Sequence, residues 1–200
     1  MADPVPANGQ FGDDYFPVYS LNNKVKVDAK YLKDSYGENY IIDPTTSKPY
    51  IVPRDYDPNK TVTYFSDKLK EALQNPYGNE IDLGRVAAFI YPELYRAFRQ
   101  GGWGDLQRQL PDKNDPVTEF KPIGNFNYGL GTAAGGLATG EAVLAGGAYV
   151  PWNGKFGQYF ENMRKEPTGL GNYAGDAVHI RNGAEHFNQR IFEGSNALGP

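Results

Sequence analysis

The chain has 200 residues, 40% apolar and 22% charged, which is enough for one domain with a substantial core or two small ones. A formal net charge of −4 and a pI near 5.2 supply no global field for a polyanion, although a local basic patch stays open. The absence of cysteine excludes disulfides, a thiolate nucleophile and thiolate metal sites.

Residues 1–65 read as extended and loop-rich. The segment Met1–Phe11 has no basic start and no apolar stretch, so no secretory signal peptide is expected there. Short strands are expected at Lys24–Val27, Tyr40–Ile42, Tyr50–Val52 and Thr61–Phe65, separated by turns at Asp43-Pro44 and Arg54–Pro58. Ser66 is placed to cap a helix that Pro76 stops. A second helix is expected from Asn79, with Val86, Phe89 and Ile90 inward. Pro92 then starts a fresh helix, Glu93–Gln100, ended by Gly101-Gly102.

From Trp103 to Lys121 the chain reads as loop. Ile123–Gly129 reads either as a tight turn entering a closely packed helix or as the floor of a site. Leu130–Val150 is expected to be one buried helix. It is interrupted by Glu141 and poor in large lipophilic side chains, so no stable membrane insertion is expected. Gln158–Lys165 makes a short helix. Asp176 caps the last one, with Ile180, Ala184, Phe187 and Ile191 inward. The fold class is therefore α+β: a mainly helical body over residues 66–200 with a short-stranded, loop-rich part over residues 1–65.

The chemistry-bearing residues gather between Tyr91 and Gly183. Asn125 and Asn127 alternate with Phe126 and Tyr128, offering amides and rings for hydrogen bonding and stacking. Along the last helix Asp176, His179, Gly183, His186 and Arg190 recur at intervals of three and four. That stripe is either a solvated face with an N-cap or a site wall in which His179, beside Asp176, moves a proton. With only two histidines, seven apart, no local histidine metal site is possible, and no cofactor is expected. A carboxylate site for a hard cation stays open.

Three blocks in this stretch, FRQGGWGDLQRQ (Phe98–Gln109), GNFNYGLGTAAGG (Gly124–Gly136) and GDAVHIRNG (Gly175–Gly183), carry a resemblance. Together they resemble the type forty-four family of bacterial polymorphic toxins, found at the C-termini of large secreted proteins used against rival bacteria. The chain departs from the pattern in a glycine inserted between Trp103 and Asp105 and in Gln107 or Arg108 where a lysine is usual. Asp176 stands alone where the family has two acids, and the proline turn after it is missing. The resemblance implies delivery into a competitor by a carrier or parent effector such as one of a type VI apparatus. It also implies a cognate immunity protein, expected to cover the groups near Trp103 and Asn125. Nuclease activity is the usual suggestion for the family.

Two chemistries follow. The first is a hydrolase of the peptidoglycan glycan, muramidase-like, acting in the periplasm of the target. It needs one protonated and one ionised carboxyl group, drawn from Glu80, Asp82, Glu93, Asp105, Glu119 and Asp176. An acidic chain with 15 Tyr and 11 Phe suits a neutral sugar polymer, because rings stack and hydroxyls bond without opposite charge. The second is a ribonuclease working in the target cytoplasm, with His179 moving the proton and Lys121, Arg181 or Arg190 steadying phosphate charge. A non-catalytic structural or adhesive module is a third reading. The residues set out as a site are Asp105, Asp176, His179 and Glu119 for catalysis, and Trp103, Asn125, Asn127, Tyr128 and Arg190 for substrate binding.

Overall fold

The computed structural model describes residues 15–34, 37, 39–74, 83–152, 155–173 and 175–196. Glu80 and Asp82, and the Arg190 and Ile191 side chains, lie outside the described residues. The architecture is α+β, as the composition of the two parts predicts. Strands β1 (Phe16–Tyr19), β2 (Lys26–Tyr31) and β5 (Ile51–Pro53) form an antiparallel sheet in the order β1-β2-β5, in which Ala29 faces both Phe16 and Pro53. Between them β3 (Ile42–Asp43) and β4 (Lys48–Pro49) form a small hairpin. The expected strands at residues 24–27, 40–42 and 50–52 thus overlap or adjoin observed ones, while β1 and β4 carried no clear pattern.

Thr61–Phe65 is not a strand. Helix α1 runs Pro58–Leu73, with Asp57 as its N-cap accepting from Asn59 N at 2.9 Å and Pro58 in its first turn. Asp57-Pro58 is therefore a helix start, and Ser66 lies inside the helix. The buried positions Thr61, Phe65 and Ala72 follow helical spacing, so the β-branched run lost to packing. Helix α2 (Leu83–Phe98) continues through Pro92, contrary to the expected break. Pro92 and Ala88, whose carbonyl loses its helical donor, are both exposed, so the freed group is not buried in the core. Val86, Ile90, Leu94 and Ala97 form its buried stripe, while Phe89 turns outward at 39% exposure.

The Ile123–Gly129 stretch is helix, not turn. It belongs to α3 (Lys121–Ala134), and the expected single helix over 130–150 is divided at Gly135-Gly136. Gly136 takes φ +84°, a left-handed value that glycine adopts without strain. Helix α4 (Thr139–Trp152) follows, then α5 (Phe156–Lys165) and α6 (Asp176–Asn196). No described helix is long and apolar enough to cross a membrane.

The centre of the fold is the contact between α3 and α6. A Cβ on Gly129 would stand 2.0 Å or less from the Ile180 carbonyl oxygen, and one on Gly183 would stand 2.0 Å from that of Phe126. Two glycines from two different sequence blocks thus let the backbones touch reciprocally. One buried core then joins Ala29, Tyr50 and Val52 of the N-terminal part to Phe65, Ile90, Phe126 and Ala184 of the helices.

Candidate functional site

The α3–α6 contact brings the second and third glycine blocks together and places their polar residues side by side. Asp176, the first residue of α6, accepts from Lys121 Nζ at 2.9 Å, at the start of α3. Lys121 also lies over the Tyr173 ring, 5.6 Å from its centroid. One turn along α6, His179 is 5% exposed. Its Nδ1 lies 3.0 Å from the Tyr50 hydroxyl and 3.7 Å from Asp43 Oδ1. Both of those groups come from the N-terminal part, across more than 120 residues of sequence. Asn182 Nδ2 closes the cluster, reaching the Tyr50 hydroxyl at 3.2 Å and the Ile42 carbonyl at 3.3 Å.

The stripe along α6 is therefore no solvated face at its start: Asp176, His179 and Gly183 are all buried, and His186 is half-buried. Burial raises the Asp176 carboxyl above its ordinary range, against the opposing pull of Lys121, His179 and Asn125. Burial also pushes the His179 imidazole down, against Asp43 and Asp176, which favour its charged form. The Tyr50 phenol is raised, first by burial. The neutral phenol accepts from Asn182 and shares a hydrogen bond with Nδ1 whose direction follows the imidazole tautomer.

Asp43 is anchored from its own side. Its Oδ1 accepts from Thr45 N and Thr45 Oγ1, both at 2.7 Å, in the Asp-Pro-Thr turn between β3 and β4. Asn125 Nδ2 is buried and, among the described residues, makes no hydrogen bond of full geometry, although it points near enough to Asp176 to favour its charge by a weak one. A buried amide so weakly bonded at the edge of such a cluster is a ready donor for a ligand.

The remaining sequence-predicted residues separate. Asn125 and Asn127 are two positions apart, roughly 200° around a helix, so they face opposite sides and cannot share one floor. Asn127 is 1% exposed, and its Oδ1 accepts from Tyr56 Oη at 3.0 Å and Thr61 Oγ1 at 2.8 Å. Asp105 belongs to its own loop. It accepts from Gly101 N at 2.8 Å and pairs with Arg108 at 3.4 Å, and it shares no described partner with Asp176. Glu119 is exposed and accepts, among the described residues, from neighbouring Thr118. Glu93 accepts from Arg96 and Tyr64.

Trp103, 44% exposed, packs on Tyr64, Phe65 and Phe98. Tyr128 stands edge-on to Phe98 at 5.2 Å, and burial raises its phenol. Among the described residues no group of three or more His, Asp or Glu is placed to hold a metal ion.

Sequence reasoning missed Asp43, Tyr50 and Asn182. Asp43 was legible only as a turn residue, and nothing local links it to a histidine 136 positions away. Protein-family models, curated proteins and solved structures offer no match to this chain.

Proposed function

We propose that the chain is an antibacterial toxin domain of the polymorphic kind that hydrolyses the glycan of peptidoglycan, in the manner of a muramidase. The observation that carries this reading is Asp176, a buried carboxyl raised above its usual range, which shares His179 as a neighbour with a second buried carboxyl, Asp43. Glycosidic cleavage needs two carboxyl groups in unlike surroundings, one arriving with its proton. Asp176 takes the acid role: its proton passes to the glycosidic oxygen as the bond from the sugar carbon to that oxygen breaks. Asp43 is the carboxylate proposed for the second role: it takes one proton from the water whose hydroxyl bonds to the sugar carbon, and that proton restores Asp176 through solvent before the next turnover. His179 and Tyr50 act as positioning residues that hold the two acids at fixed places.

The acidic pI and the tyrosine-rich composition support a neutral polymer over a polyanion. In this reading the toxin works in the target periplasm, travels on a carrier or parent effector, and is neutralised in its producer by an immunity protein.

A second reading, ribonuclease, is favoured by one observation. Lys121 and the weakly bonded Asn125 amide lie together at Asp176, a cation and a donor suited to a phosphate oxygen. Incubating the purified chain with peptidoglycan sacculi and with RNA decides between them. The muramidase reading predicts new reducing ends from sacculi, lost in Asp176→Asn, with RNA intact. Degraded RNA with intact sacculi overturns it.

A further inference from the structure

On the side of α3 away from Asp176 lies a cavity of about 290 Å³, bounded by β2, β5, α1 and the segment from Trp103 to Phe120. It shares no lining residue with the Asp176–His179 cluster, and the proposed reaction does not use it. We propose that this cavity is a binding subsite for an acetamido sugar, one N-acetylated pyranose ring of a glycan. The assignment rests on the wall-glycan reading above and adds a recognition element to it.

Three features select this occupant. The first is a fixed amide at the wall. Asn127 is almost wholly buried, and its oxygen is held by two hydroxyls, Tyr56 and Thr61, while its Nδ2 donates to no described residue. Burial raises the Tyr56 phenol, so that hydroxyl keeps its proton and keeps donating. The amide is thereby oriented with its NH₂ available to an acceptor such as the carbonyl of an acetamido group.

The second feature is the apolar remainder. Leu106, Leu110, Val117 and Phe120 line the cavity and offer contact to a methyl group, which a plain hydroxyl cannot exploit. The third is Trp103, which lines the same cavity while 44% exposed, so part of its indole is open to the apolar face of a pyranose. The charge balance argues against an anion: Lys60 stands among the lining residues with Asp55 and Asp57. The volume falls at the small end of ligand pockets, room for one ring and its substituent rather than an oligomer.

The test titrates the full chain, carrying Asp176→Asn to prevent turnover, with triacetylchitotriose and with cellotriose, which lacks the acetamido groups. Binding of the acetylated probe roughly tenfold tighter or better is expected. Asn127→Asp keeps the oxygen that Tyr56 and Thr61 hold and replaces the NH₂ by a second oxygen. It is expected to erase the preference for the acetylated sugar. Leu110→Phe, which narrows the cavity without touching the amide, is expected to do the same, so the test stands even where the Asn127 variant fails to fold.

Equal affinity for the two sugars, or a preference that survives in either folded variant, overturns the proposal. Binding and catalysis fail separately here. A selective subsite in a chain that leaves sacculi intact refutes the hydrolase and keeps the cavity. Cleavage of sacculi without acetamido selectivity refutes the cavity alone.

Discussion

Placing a single methyl group at Gly183 tests the backbone contact on which the Asp176–His179 cluster is built. The new Cβ would stand 2.0 Å from the Phe126 carbonyl oxygen and 3.0 Å from the Leu130 nitrogen, both backbone atoms that no rotamer change can move. Relief requires α3 and α6 to separate by roughly 1 Å, which for an overpacked core costs about 1–3 kcal/mol or more. Against this, alanine is favoured over glycine inside a helix by about 1 kcal/mol. With a clash at the upper end of that range, because backbone meets backbone, Gly183→Ala is expected to lower the melting temperature by up to about 4–8 °C, for a net loss of up to about 2 kcal/mol.

Gly124 and Gly140 are the controls. Each is helical, and an added Cβ at either meets nothing within 4 Å. Gly124→Ala and Gly140→Ala should therefore keep or raise the melting temperature, by up to about 1 kcal/mol each. Differential scanning calorimetry of the three variants is sufficient. A Gly183→Ala protein as stable as the Gly140→Ala control would refute the close backbone approach, and with it the geometry that joins Lys121 to Asp176.

Other consequences are open to measurement. Because burial lowers the folded-state pKa of His179, its contribution to stability is complete above its unfolded pKa of about 6.5 and is lost as pH falls below that value. Thermal melts from pH 8 to 5 should show this loss, and His179→Gln should flatten it; an unchanged slope contradicts the burial argument. Asp176 acts in the opposite sense, since its raised pKa favours the folded state below about 3.9 and disfavours it as pH rises through the folded value. Asp176→Asn should accordingly be at least as stable as the parent at neutral pH, less whatever the Lys121 pair contributes, and a collapse of its fold would argue that the ion pair dominates. Asp105→Asn should cost about 1 kcal/mol, because the carboxylate accepts the Gly101 N–H and pairs with Arg108. Its toxicity per folded molecule should be retained, and loss of toxicity at unchanged stability would return Asp105 to the mechanism. Tyr50→Phe should weaken the docking of residues 42–50 on α6 by about 1–3 kcal/mol, since the His179 and Asn182 partners are left behind. Limited proteolysis near Asp43 reports it, with unaltered resistance as the contrary result.

What the chain discloses without coordinates follows a physical divide. The last helix was legible because Ile180, Ala184 and Phe187 recur at helical spacing and pack into the core. The glycines at 129 and 183 stood out within two separate blocks, but not as partners, because their contact is made through space between two helices. The Asn125–Tyr128 stretch was misread as a turn since asparagine and glycine are poor helix formers taken alone. Burial of Ile123, Phe126 and Leu130 against neighbouring elements overrides that preference. Asp57-Pro58 carried a helix start that the following β-branched run concealed.

At the candidate site, the Asp176 and His179 pairing was legible from a spacing of three along one helix. Asp43 and Tyr50 were not, because a hairpin more than a hundred residues earlier brings them across. The expectation that Asn125 and Asn127 act together failed on helical geometry alone, since a helix turns neighbours two apart to opposite faces.

The central claim is that a buried Asp176 serves as the acid of a wall-glycan hydrolase. Expression of the chain in bacteria with and without an export signal tests it most directly, with Asp176→Asn beside the parent and matched for folded protein. The account predicts lysis only on export to the periplasm, and only with the aspartate in place. Growth arrest confined to the cytoplasmic form, or lysis equal in the two exported proteins, would contradict it.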